Sequence, residues 1–128
     1  MKKNKIVIVD DDTEICFMLD AYFREMGIKT ECFHCGNDAI EYLKDNEVSA
    51  VITDMYMKEG DGVELITWIK RYHQNLPIIV ISGVYSSSKL KELLQFTELM
   101  GGCRVLTKPF KPSQLYNLLE EETKKAEI

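Results

Sequence analysis

Five short apolar runs, each followed by a stretch of helical periodicity, set the strongest limit on how this chain can fold. The first, residues 5–9 (Lys-Ile-Val-Ile-Val), is too short for a helix and rich in β-branched residues, so it reads as a buried strand. Asp12 suits an N-cap, and Ile15, Leu19, Tyr22, Phe23 and Met26 fall on one helical face before a stop at Gly27. The order then repeats. A strand over 29–33 precedes a helix over 37–46 that turns Ala39, Ile40 and Leu43 inward. A strand over 48–53 leads through the turn Gly60-Asp61-Gly62 to a helix over 63–73 on Leu65, Ile66 and Ile69. After Pro77, a strand over 78–81 precedes a helix over 89–100 built on Leu90, Leu93, Leu94 and Phe96 or Thr97, which Gly101-Gly102 ends. The last strand covers 104–107. Pro112 opens the last helix, where a first turn accepts proline, and Leu115, Leu118 and Leu119 give its apolar face. Five strand–helix repeats without a linker make an α/β fold: a doubly wound parallel sheet with helices on both faces.

Such sheets carry their sites beyond the carboxyl ends of the strands, so those ends are where chemistry is expected. Strand one runs into Asp10, Asp11 and Asp12, strand three into Asp54, strand four into Ser82, and strand five into Lys108. Strand two ends in His34 and Cys35, which do not obviously join the others. Two carboxylates about 4 Å apart repel by roughly 4 kcal/mol at an effective dielectric near 20, so an acid cluster must be splayed into water or hold something. Carboxylates with few other donors suit a hard ion such as magnesium, with Asp10 and Asp11 as its holders. A further carboxylate can act as a nucleophile toward phosphorus, and Asp54, alone at its strand end, is the natural one. Lys108 and Ser82 are the right types to meet the charge on a transferred phosphoryl group. Each residue singly has a plainer explanation as a cap, a turn or an exposed side chain; their joint placement carries the reading.

With 128 residues, the chain reads as a single domain, 1–128, long enough for a real core. A net charge of -5 sets its general field against direct binding of nucleic acid or anionic membranes. No run approaches the length of a membrane span, and the apolar run after Met1-Lys2-Lys3-Asn4 is too short for a signal-peptide core, which points to the cytoplasm. The start at Met1 and the end soon after the last helix suggest a stand-alone unit rather than a fragment of a longer regulator. In a cytoplasmic chain the four cysteines are expected as thiols.

These residues resemble the receiver domain of two-component response regulators, and the resemblance covers nearly the whole chain. It rests on four ordered motifs: IVIVDD, AVITDMYMKEGDGVEL, PIIVISG and RVLTKPF. The resemblance implies a flavodoxin-like sheet of five strands in the order 2-1-3-4-5. By the same resemblance Asp54 is phosphorylated from a phosphohistidine of a sensor histidine kinase or phosphotransfer protein. Asp10, Asp11, Asp54 and the backbone carbonyl of Tyr56 would hold Mg2+ (or Mn2+), Ser82 and Lys108 would bind the phosphoryl oxygens, and Lys108-Pro109 would be cis. Such a domain catalyses only its own phosphorylation and dephosphorylation and signals through a conformational change to an output protein or domain.

The chain departs from the family pattern in three places. Met57-Lys58 stands where Met-Pro is usual, which frees the loop's φ and brings an extra cation. Val105 replaces the aromatic three residues before the lysine, which puts the usual output switch in doubt. The segment from Ser82 to Lys108 is a few residues longer than usual, with the extra length at 84–88 and in the fourth helix. Tyr56 and Val84, each two residues past a site residue, are expected to hinder an attacking water and slow self-dephosphorylation.

Two rivals stand beside this reading. Asp10-x-Asp12 after a strand resembles the opening of haloacid-dehalogenase-type phosphatases, with Asp10 as nucleophile and Asp12 as acid–base. Those enzymes want Thr four residues after the nucleophile; here position 14 is Glu and Thr13 is one place early. Cys32-Phe33-His34-Cys35 has the spacing of a redox or metal-binding dithiol, but Cys16, Cys103 and His73 are too scattered to complete a zinc site. His34 and His73 are expected exposed, Trp68 partly covered, residues 120–125 a solvated helix end, and Tyr85 and Tyr116 near a partner surface.

Overall fold

The computed structural model describes residues 5–57, 62–83 and 86–127, the side chain of Glu127 aside. Five strands alternate with five helices: β1 (Lys5–Val9), α1 (Thr13–Glu25), β2 (Lys29–Phe33), α2 (Gly36–Asp45), β3 (Ala50–Asp54), α3 (Gly62–Tyr72), β4 (Ile78–Ser82), α4 (Ser87–Met100), β5 (Cys103–Thr107) and α5 (Pro112–Glu127). The sheet is parallel throughout, in the order β2-β1-β3-β4-β5. Both the fold class and the strand order match the expectation. Among the described residues no helix is long and apolar enough to cross a membrane.

Side chains alternate across a strand, so the sheet builds two cores. Val7, Val9, Val51, Ile78 and Val80 face α2, α3 and Leu93 of α4, whereas Ile6, Ile8, Ile52, Ile79 and Ile81 face α1 and α5. Both faces of the central strands are covered, which explains their unbroken apolar runs.

The element edges differ from the sequence reading by one to three residues. β3 starts at Ala50 rather than at 48 and includes Asp54 as its last residue. Ser82 and Cys103 join β4 and β5, and α4 starts two residues early at Ser87, because Ser86 caps it by accepting the Lys89 N–H at 3.2 Å. Four burial expectations are corrected. Leu94 is 48% exposed, since the buried positions of α4 are Leu93 and Thr97, four residues apart. Met26 lies past the end of α1 and is exposed, while Cys16 takes the inward position on that helix. Residues 120–125 are not uniformly solvated: Glu122 is buried where Arg104 of β5 donates to it at 2.9 Å, and Thr123 is buried with its hydroxyl donating to the Leu119 carbonyl at 2.7 Å. His73, expected exposed, is instead half-buried against Trp68, which is partly covered as expected, with ring centroids 5.2 Å apart.

Candidate functional site

The carboxyl ends of β1, β3 and β5 meet at one edge of the sheet, and the charged side chains meet there too. Val9 and Thr53 are paired across β1 and β3, so Asp10 and Asp54 follow as neighbours. Both are buried. Lys108 closes the group: its Nζ donates to Asp54 Oδ2 at 2.9 Å and to Asp10 Oδ2 at 3.3 Å. Its backbone N–H also donates to the Ser82 carbonyl at 2.7 Å, which ties the end of β5 to β4. The Lys108–Pro109 peptide is cis, as expected.

Electrostatics at this edge are unbalanced toward the acids. Burial pushes the Asp10 carboxyl above the usual carboxylate range. The Asp12 N–H, donating to Asp10 Oδ1 at 2.9 Å, opposes this; the Asp54 charge adds to the rise and the Lys108 ammonium opposes it. Burial alone would weaken the proton on Lys108, but its bond to Asp54 and the charges of Asp54 and Asp10 more than offset that, and its pKa is raised.

One carboxylate oxygen from each of Asp10, Asp11 and Asp54 lies within 4.8 Å of the others. Three hard oxygen donors in that space, with Lys108 the one ammonium bonded to them among the described residues, fit a small hard dication better than a soft one.

The other predicted residues take distinct places. Tyr56 is half-buried, and its backbone N–H donates to Asp54 Oδ1 at 3.2 Å. Ser82 is buried beside this edge with its hydroxyl donating to the Gly83 carbonyl at 3.0 Å, not to an acid. Val105 is half-buried on the face that carries Leu93, Phe96 and Tyr56. Lys58, Val84 and Tyr85 lie outside the described residues, and so does the Gly60-Asp61 part of the predicted turn. Asp12 is exposed and caps α1, accepting the Glu14 N–H at 2.9 Å; its carboxylate is committed to the helix rather than to chemistry beside Asp10.

Sequence reasoning missed two contacts. A His34 ring nitrogen lies 3.0 Å from the Asp10 carbonyl oxygen, and the Cys16 thiol donates to the same oxygen at 3.7 Å. Nothing in the local pattern signals them: the partner is a backbone carbonyl just past β1, which meets His34 only across the sheet and Cys16 only once α1 is laid against it. Cys32 donates to the Cys16 carbonyl at 3.9 Å, so it faces α1 rather than Cys35. All four cysteines are free thiols.

A doubly wound parallel sheet with paired acids after β1, an acid ending β3 and a lysine after β5 defines a receiver-type signalling module. The response regulator receiver domain family model matches residues 6–120, and the chain belongs to that family. The transcriptional regulatory protein GltR of Pseudomonas aeruginosa is 32% identical over 123 residues, covering 96% of this chain and 50% of its own length. The chain thus spans about half the length, or less, of the curated relatives it matches. The receiver domain of the Francisella response regulator 1452 superposes with a TM-score of 0.79 at 27% identity, covering 94% of this chain and 97% of that one. A CheY-like response regulator receiver domain protein from Methanospirillum hungatei reaches a TM-score of 0.88 at 21% identity, covering 98% and 97%, which bears on the fold alone. The haloacid-dehalogenase and dithiol readings are not favoured.

Proposed function

We propose that Asp54 accepts a phosphoryl group from the phosphohistidine of a sensor histidine kinase or phosphotransfer protein. The observation that carries this reading is the Lys108 ammonium held between Asp10 and Asp54 at the strand ends. In the transfer, a carboxylate oxygen of Asp54 attacks phosphorus. A P–O bond forms, the P–N bond breaks, and its electron pair returns to the imidazole nitrogen. Lys108 follows the developing charge on the phosphoryl oxygens, and the Ser82 hydroxyl reaches them by turning away from the Gly83 carbonyl. Asp10, Asp11, Asp54 and the Tyr56 carbonyl would hold magnesium or manganese, which when bound supplies countercharge to the phosphoryl oxygens. The domain catalyses only this self-modification. It works in the cytoplasm as one folded unit over 1–128 and passes its state to an output partner. Its acidic net charge argues against touching nucleic acid directly.

The test is direct. Wild type incubated with magnesium and a small phosphodonor gains one phosphoryl group by intact mass. Asp54→Asn and Asp11→Ala do not. Wild type that stays unmodified would overturn the assignment. Followed over time, the same measurement gives the lifetime. The Tyr56 ring hinders an attacking water, so decay takes minutes or longer, and Tyr56→Asn shortens it. Wild-type decay within seconds would remove that part of the proposal.

A further inference from the structure

Lys89 sits in the first turn of α4, next to the cap: its backbone N–H donates to Ser86 Oγ at 3.2 Å. Its side chain reaches across to the loop after β3, where Nζ lies 4.8 Å from the centroid of the Tyr56 ring. That distance is within the range of a cation–π contact. The backbone of the same Tyr56 donates to Asp54 Oδ1. Asp54, Tyr56, Lys89 and the start of α4 therefore form one continuous chain of contacts.

The helix at the end of that chain is anchored at its middle and C-terminal end, where Phe96 and Met100 lie partly buried against the core beside Leu93, and less at its first turn. Of the 14 residues of α4, Leu93 and Thr97 are the buried ones among those described. Residues 86–89, at its start, are exposed, and a segment with so few buried contacts opens and shifts at low free-energy cost. A phosphoryl group on Asp54 adds negative charge and three acceptor oxygens beside the Tyr56 N–H. Both ends of the Tyr56 contact then change: the acceptor its backbone serves, and the field felt by the ammonium over its ring.

We propose that the Tyr56–Lys89 contact couples the chemical state of Asp54 to the position of α4, with Lys89 as a positioning residue for the output. This rests on Asp54 being the phosphoacceptor. Coupling is reciprocal, so whatever holds α4 also shifts the equilibrium of phosphoryl transfer to Asp54.

Hydrogen exchange of the α4 amides, with and without a small phosphodonor and magnesium, tests the link. Variants are compared at equal phosphorylated fraction by intact mass. In wild type, phosphorylation changes exchange in the first turn of α4 by about two- to fivefold, the strength of an exposed cation–π contact. Lys89→Met and Tyr56→Leu lose that response, and the double variant loses no more than either alone. Lys89→Arg restores it, because a guanidinium also sits over an aromatic face, and Tyr56→Phe keeps it. A merely structural lysine would shift exchange equally in both states. Lys89→Met responding like wild type, or Lys89→Arg failing like Lys89→Met, would overturn the link. So would wild type that is phosphorylated without any change in α4. Wild type that gains no phosphoryl group overturns the underlying assignment as well.

Discussion

Asp10, Asp11 and Asp12 are adjacent in the chain and have three different surroundings. Asp10 is fully buried and bonded to Lys108, Asp11 is half-buried beside it, and Asp12 is exposed at the start of α1. The third acid works locally: its side chain meets an N–H that the helix leaves unpaired, and its charge suits the positive helix end. Asp12→Ser is therefore expected to change stability by only a few tenths of a kcal/mol, whereas Asp12→Ala costs about 1 kcal/mol in urea denaturation. Equal losses in both would show that the cap contributes nothing. At this scale the sequence was informative about Asp12, because capping depends on near neighbours. It was silent about the Asp10 carbonyl, which meets His34 from a distant part of the chain and Cys16 only after α1 folds back toward β1.

Elements position the site through close approach, and Gly62 is the sharpest case. It opens α3, and its N–H donates to the Met55 carbonyl at 2.7 Å. A Cβ there would meet the Asp54 carbonyl oxygen at 3.0 Å and Met55 Cα at 3.3 Å. Both neighbours are backbone at the end of β3, so they yield only by shifting Asp54. Gly62→Ala is expected to cost about 1–3 kcal/mol, the range for overpacking, and to slow phosphorylation in step. Unchanged stability with unchanged phosphorylation would mean that α3 slides without moving β3. The sequence placed this glycine in a turn, but its steric reason exists only once α3 is laid against β3. The same limit explains α4 and α5. The leucine-rich α4 offers more apolar residues than it buries, so periodicity overcounts its inner face. Glu122 looks solvated until β5 brings Arg104 to it.

At the scale of the molecule, the five-fold alternation already implied that strand ends would share one edge. Topology then brought Asp10, Asp54 and Lys108 into contact across 44 and 54 residues of chain, separations no local pattern can report. That convergence has a thermodynamic cost that can be measured. The folded state raises the Asp10 pKa, mainly through burial and in spite of Lys108. A raised acid pKa means that the folded protein binds this proton more tightly than the unfolded chain. Its effect on stability is therefore absent below the ordinary aspartate range and grows as pH climbs through the raised value. Asp10→Asn removes that titration while Lys108 keeps Asp54. In metal-free buffer the variant is expected to be more stable than wild type by about 0.5–2 kcal/mol near neutral pH. The advantage should vanish in acid, where Asp10 is protonated in both folded and unfolded wild type. Lys108 works in a different window: its raised pKa contributes stability that is lost only as pH rises through the alkaline range. Magnesium should narrow the gap at neutral pH by stabilising wild type and not Asp10→Asn, since a metal that binds only the folded state adds its binding free energy to stability. Thermal unfolding of both proteins across pH, with magnesium and with chelator, checks all three effects. A variant advantage that persists unchanged into acid would show that the strain at this edge is steric rather than electrostatic.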